Sequence, residues 1–292
     1  MIAGALKGKR AIITGANQGL GHEIARQYVL AGASLMICAR NEDLLHKAAK
    51  DLSALAGPEQ TILFQKADIS QIGDVRQVVL RAINELGGCE ILVNNAGIYG
   101  PKGPIESIDW QSWVDTISIN LLGSVLMSKE LVPHFRTQGY GKIIQISGGG
   151  ATNPLPMLSA YAVSKAAIVR FAETLAEELR GTGIDVNAIA PGALNTGMLN
   201  EILEAGPEKV GQEFYDRSVK QKSSGGVPLT RGAELAVFLA SAKSNGVTGK
   251  LISAVWDDWE NWPAHILELD QSDAYTLRRI VGKDRGLDWG DK

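Results

Sequence analysis

The chain has 292 residues, enough for one large domain or two small ones at roughly 100 to 200 residues per domain. Apolar types make up 45% and charged types 21%, which excludes an intrinsically disordered or fibrous chain. Lys and Arg number 29 against 32 Asp and Glu, a formal charge of −3, so there is no general attraction to nucleic acid or to an anionic membrane.

The two cysteines, Cys38 and Cys89, are too few for a disulfide framework, and the four histidines show no metal-ligand spacing, so no metal is expected. No apolar run approaches the roughly 20 residues of a membrane span, and the N-terminus lacks the apolar core of a signal peptide. The expectation is a soluble, cytoplasmic protein.

Short apolar runs alternate with amphipathic stretches, the pattern of βαβ units around a buried parallel sheet. Strands are predicted at 11–14, 34–38, 62–64, 91–93, 142–146, 184–189 and 250–255. Helices are predicted at 20–31, 43–55, 75–86, 113–135 and 161–180, where apolar residues recur at three and four. This order predicts an α/β fold, one doubly wound, Rossmann-type parallel sheet of about seven strands over residues 1–255. Residues 193–228 carry five glycines and read as a mobile excursion, a candidate substrate lid. A Trp-rich extension, 256–292, holds Trp256, Trp259, Trp262 and a helical signal at 272–280, and is expected against the body, a pocket or a neighbouring subunit.

The first strand enters Thr14-Gly15-Ala16-Asn17-Gln18-Gly19-Leu20-Gly21 and then a helix. Glycines there let the backbone turn sharply and approach a pyrophosphate, which the helix N-terminus binds. At the end of the second strand, where an acid commonly meets the ribose 2′-hydroxyl, stand Arg40 and Asn41. A guanidinium grips a 2′-phosphate, so NADP is expected in preference to NAD, with NAD still possible. Asp68 and Ile69 follow the third strand and Asn94-Asn95-Ala96-Gly97 ends the fourth, all at strand carboxyl ends where such folds bind ligands. Asp68 is read either as an acceptor for the adenine amino group or as a helix cap.

Tyr161 and Lys165, four apart at the start of a helix, share one face. A phenol titrating near 10 needs roughly 4 kcal/mol to act near neutrality, about what a cation some 4 Å away supplies.

In their order, Thr14 to Gly21, Asn94 to Gly97, Asn120, Tyr161 with Lys165, and Pro191-Gly192 with Thr196 make the chain resemble the short-chain dehydrogenase/reductase family, in its single-domain, YxxxK-bearing branch. The resemblance covers roughly residues 7 to 255. It implies hydride transfer between a nicotinamide and a carbonyl or alcohol carbon of a small molecule, in a homodimer or homotetramer. Tyr161 would be the proton donor or acceptor, Lys165 would hold the nicotinamide ribose and depress the phenol, and Asn120 would anchor a water in a proton relay. Gly15, Asn17, Gln18, Gly19, Leu20, Gly21, Arg40, Asn41, Asp68, Ile69, Asn95, Ala96, Gly97, Pro191, Gly192 and Thr196 would line the cofactor, with Tyr161 and Lys165.

Two features depart from that family. Gly148 stands where the family's catalytic serine is expected, leaving Ser147 as the nearest substitute, and the long C-terminal extension replaces a short glycine-rich ending. The first reading is therefore an NADP-dependent oxidoreductase of small to medium polar carbonyl or alcohol substrates. The alternative is a nucleotide-binding protein of this fold with weakened or lost catalysis, a sensor or an oligomeric partner.

Overall fold

A computed structural model describes residues 4–289; residues 1–3 and 290–292, at the outer ends of the two segments expected from the sequence, lie outside it. Seven strands form one parallel sheet: β1 (Arg10–Thr14), β2 (Ser34–Ala39), β3 (Ile62–Lys66), β4 (Ile91–Asn94), β5 (Gly141–Ile146), β6 (Ile184–Ala190) and β7 (Leu251–Ser253). Their spatial order is β3-β2-β1-β4-β5-β6-β7, so the winding reverses between β1 and β4. A crevice opens outside the carboxyl ends of the strands at such a reversal, and this is what positions the site.

The strand centres are largely apolar because both sheet faces are covered, with polar residues such as Lys142, Gln145 and Asn187 held by hydrogen bonds. Ala11 and Ile13 enter one core with Leu35, Ile37, Ile91 and Val93, while Ile12 points to the opposite core with Met36, Leu92 and Ile143. The first core is closed by α1 (Gly19–Leu30) and α2 (Glu42–Leu55), the second by α3 (Ile72–Leu86). The Asn41 side chain caps α2 by accepting from the Leu44 amide at 3.0 Å, with Glu42 and Asp43 in the first turn facing the helix dipole.

The helix predicted over 113–135 is longer and interrupted. It runs as α4 (Trp110–Ile117), a π-helical turn over Ser118–Gly123, and α5 (Ser124–Gln138). The inserted residue of a π turn breaks the i+4 ladder, and such turns gather at functional sites. Asn120 sits inside it, buried. The helix α6 (Ser159–Glu178) then presents Tyr161 and Lys165 to the carboxyl end of the sheet.

The excursion 193–228 is regular structure: α7 (Gly197–Ala205), α8 (Pro207–Val210) and α9 (Gln212–Ser224). Ile202 and Val210 pack with Leu158 and Tyr161 in a small apolar cluster, so these helices close over the catalytic end of the cleft. The helix α10 (Leu229–Ala240) returns the chain to the first core.

After β7 the chain forms a 3-10 stretch, Trp259–His265, and the short α11 (Ile266–Asp270). Trp259 is 3% exposed, tilted against Phe238 at 5.3 Å and covered by the Arg231 guanidinium at 4.8 Å. Trp262 is 5% exposed and meets Tyr275 at 4.5 Å. The helix expected at 272–280 does not form, because the body takes its backbone groups. Lys250 Nζ donates to the carbonyls of Ser272 and Ala274, both at 3.0 Å, and the Leu277 amide donates to the Glu173 carboxylate at 2.6 Å. The Leu251 amide of β7 donates to the Tyr275 carbonyl at 2.8 Å, and Tyr275 itself takes φ +62°. Among the described residues no helix is long and apolar enough to cross a membrane.

Candidate active site

One cleft of about 1480 Å³ runs along the carboxyl ends of all seven strands. Every residue expected on the cofactor, from Gly15 to Thr196, lines it, and so do Ser147, Gly148, Tyr161 and Lys165. Asn120 does not: it stands behind the cleft wall.

At one end lies the glycine turn. A Cβ on Gly15 would fall 2.8 Å from the Ala96 Cα, and one on Gly21 would fall 2.3 Å from Asn95 Nδ2, so the β1 and β4 loops approach as only glycine allows. Asn95 fastens them, its Nδ2 donating to the carbonyls of Thr14 at 3.0 Å and Gly15 at 3.1 Å. Thr14 Oγ1 accepts from the amides of Asn95 at 3.0 Å and Ala96 at 3.1 Å. Gln18, the residue before α1, offers no side-chain cap, and the first turn carries no acid, so the amides of this helix end face the cleft uncovered.

At the β2 end, Arg40 is exposed and makes no ion pair or hydrogen bond among the described residues. The Asn41 side chain is occupied as the cap of α2. Asp68 closes a turn: its Oδ1 accepts from the Ser70 amide at 2.9 Å and hydroxyl at 2.7 Å. The capping reading is not met, because the residue before α3 is Gln71 and carries no side-chain cap; Asp68 lines the cleft, where its remaining oxygen can face a ligand.

At the other end stand the groups that could handle a proton. Lys165 Nζ donates to the Ile146 carbonyl at 2.7 Å, and complete burial pulls its ammonium down to about 8. Asn120 uses its whole side chain: Oδ1 accepts from the Ile98 amide at 2.8 Å, while Nδ2 donates to the Ile98 carbonyl at 2.9 Å and to Ser164 Oγ at 3.0 Å. Ser147 donates its hydroxyl to the main-chain carbonyl of Lys165 at 3.1 Å. A Cβ on Gly148, in contrast, would fall 2.9 Å from the Tyr161 hydroxyl. Gly148, not Ser147, is therefore the strand-end position whose side-chain direction meets the phenol.

The family model of short chain dehydrogenases matches residues 9–206. The chain is a short-chain dehydrogenase/reductase.

The family's members are oxidoreductases that bind NAD(P). This dehydrogenase is 34% identical over 213 residues to 11-beta-hydroxysteroid dehydrogenase A of Sesamum indicum, a match that covers 73% of the chain and 60% of the sesame protein. It is 30% identical over 267 residues to glucose 1-dehydrogenase of Gluconobacter oxydans, covering 87% of the chain and 95% of that enzyme. Among solved structures it is similar to the 3-ketoacyl-(acyl-carrier-protein) reductase of Brucella melitensis in complex with NADH, with TM-score 0.73, 30% identity, and coverage of 85% of this chain and 97% of that one.

The dehydrogenase's cleft fits the dinucleotide of its family: the glycine cradle at Gly15 and Gly21 has no room for a side chain, and the uncapped helix start faces it. One electrostatic expectation is corrected. The Lys165 ammonium, 5.6 Å from the Tyr161 ring centroid, does not bring the phenol toward neutrality. Burial dominates and holds Tyr161 well above the ordinary phenol value, with neighbouring Tyr99 adding to the rise.

Sequence reading missed Tyr99, Leu155, Met198 and Phe214, which line the catalytic end of the cleft. The Tyr99 ring leans on Tyr161 at 4.6 Å. The only available signal was Tyr99's place just past Gly97. Trp256, 86% exposed, forms part of the cleft wall, while Trp259 and Trp262 are buried in the body.

Proposed function

We propose that this dehydrogenase transfers hydride between a nicotinamide cofactor, NADP(H) in preference to NAD(H), and a carbonyl or alcohol carbon, with Tyr161 as the general acid and base. The observation that carries the reading is one continuous cleft with an uncapped helix start and glycine cradle at one end and the buried Tyr161 and Lys165 at the other. The nicotinamide, when bound, supplies or accepts the hydride. Tyr161, protonated at neutral pH because burial raises it, gives its proton to the carbonyl oxygen in reduction and recovers it in oxidation. Lys165 holds its ammonium at the cleft floor and is the candidate partner of the nicotinamide ribose. Asn120 and Ser147 act as positioning residues: one ties Ile98 to Ser164, the other ties β5 to the Lys165 backbone.

Arg40 supports the NADP preference, since its guanidinium is free to take a 2′-phosphate and no acid stands in its place. The NADH bound by the Brucella reductase shows that the fold also takes the other cofactor. The flanking walls set apolar Leu155, Met198, Phe214 and Trp256 beside polar Asn200, Glu201 and Gln221, which supports a carbonyl compound with an apolar body that also carries polar groups. Residues 193–228 serve as the lid on that substrate, and the assembly is a homodimer or homotetramer. Titration with NADPH and NADH, followed through the protein's tryptophan fluorescence, should give tighter binding of NADPH. Tyr161→Phe should abolish turnover while leaving both affinities in place. Turnover surviving in Tyr161→Phe would refute the assignment.

Gly148 favours a second reading, a nucleotide-binding protein with weakened catalysis, because no hydroxyl stands at that position. Tight NADPH binding with no turnover on any carbonyl in a broad screen would support it.

A further inference from the structure

In an oxidoreductase of the proposed kind the reacting oxygen needs a second hydrogen-bond donor besides the general acid, and losing one such donor costs roughly 10² to 10³ in rate. Gly148 offers no side chain, and its Cβ direction ends 2.9 Å from the Tyr161 hydroxyl, so the space a serine would use is already filled by the phenol. Two of the nearby hydroxyls are spent as donors. Ser147 donates to the Lys165 carbonyl and Ser164 to the Tyr161 carbonyl at 2.7 Å. Ser159 accepts from the Trp113 indole at 3.2 Å and does not line the cleft. Thr152 lies in an exposed turn, its Oγ1 accepting from Asn153 at 3.2 Å.

One further phenol lies against Tyr161 itself. Tyr99 follows the β4 loop, lines the cleft, and makes no hydrogen bond among the described residues. Its ring lies 4.6 Å from that of Tyr161, close enough for charge on one phenol to disfavour charge on the other. Burial lifts Tyr99 itself to about 12, so it remains a protonated donor over the whole working range.

We propose that Tyr99 supplies the hydrogen bond that Gly148 cannot, so that the reacting oxygen of the substrate is held between two phenols. This rests on the oxidoreductase reading of the cleft. Tyr161 alone exchanges a proton with the oxygen; Tyr99 donates a hydrogen bond and keeps its proton, so the atoms and electrons of the hydride transfer are unchanged. A serine is small and fixed to a strand end, whereas Tyr99 sits on a loop and brings an aromatic face. The pair therefore suits a carbonyl flanked by apolar carbon, which the neighbouring Leu155, Met198 and Phe214 also fit.

The test separates oxygen binding from turnover. 4-Nitrophenol serves as the first probe, because its phenolate places a negatively charged oxygen where the reacting oxygen would sit and its colour reports binding directly. The unmodified chain should bind it saturably. Tyr99→Phe, which keeps the ring and the fold, should weaken binding by roughly 10- to 100-fold, as expected for one lost hydrogen bond to a charged group, with melting temperature and NADPH affinity unchanged. Absence of saturable binding to the unmodified chain, equal binding by Tyr99→Phe, or a loss seen instead in Thr152→Val overturns the role of Tyr99. The second probe is 9,10-phenanthrenequinone with NADPH, followed by nicotinamide absorbance. Turnover that falls about 100-fold in Tyr99→Phe supports the proposal. If no carbonyl is reduced while the nitrophenolate result holds, the two-phenol oxygen site stands and the oxidoreductase reading fails.

Discussion

Lys165→Met should stabilise the protein at neutral pH while destroying its activity. The ammonium is wholly buried and burial alone brings it from 10.5 to about 8, a gap worth about 3 kcal/mol at 1.36 kcal/mol per pH unit. Because the folded value is lowered, the cost of keeping the ammonium charged is present in full below pH 8. It is relieved between pH 8 and 10.5, where the unfolded chain still binds a proton that the folded chain has lost. Methionine removes that cost but also removes the 2.7 Å bond to the Ile146 carbonyl, which gives back about 1 to 2 kcal/mol. The net gain at pH 7 is about 1 to 2 kcal/mol, a rise in melting temperature of roughly 2 to 4 °C for a chain of this size. The advantage should shrink and then reverse as the pH climbs toward 10.5. Thermal melts of the two proteins across that range decide the matter. A variant that melts below the parent by the same amount at pH 7 and at pH 10 would refute the reasoning, since the lysine would then carry no buried-charge cost.

Other outcomes follow from the same geometry. Arg40→Ala should narrow the preference for NADPH over NADH by roughly 10- to 100-fold, the loss of charge-assisted bonds to a phosphate, and titration of both cofactors reads it. An unaltered ratio would remove Arg40 from the cofactor site. Ser147→Ala should cost about 1 kcal/mol in a denaturant melt, for its bond to the Lys165 carbonyl, and change turnover only a few-fold. A turnover loss near 100-fold would instead put that hydroxyl on the substrate. Ending the chain after Val255 removes two buried tryptophans and strips Lys250 and Glu173 of their backbone partners, so the melting temperature should fall by 10 °C or more on the order of several kcal/mol lost. An unchanged melt would mean that the extension packs without stabilising the body.

The sheet was legible because most of its strands hold short runs of Ile, Leu and Val between amphipathic stretches, and the glycine turn because its spacing is tied to the first βα junction. The substitution at Gly148 was equally visible, since it is a matter of residue type. The boundaries of the long helix were not. A π turn at Ser118–Gly123 inserts one residue without disturbing the apolar pattern, so periodicity joined α4 to α5. Residues 272–280 have a helical charge pattern, yet Lys250, Glu173 and β7 hold their backbone groups, and tertiary partners outweigh local propensity. Tyr99 was invisible for a different reason: its place in the site depends on which ring it leans against, and nothing along the chain records that.

The bond from the Leu251 amide to the Tyr275 carbonyl touches on how the molecule is made. Strand β7 ends the sheet, and an uncovered end strand is a template for pairing with any other chain. During synthesis β7 leaves the ribosome before the residues that shield it. For that interval the nascent protein carries a sticky border that only its own later residues can seal. At this edge the vulnerability to aggregation therefore belongs to the protein's birth, and slow or interrupted translation past Val255 is the circumstance in which it would show.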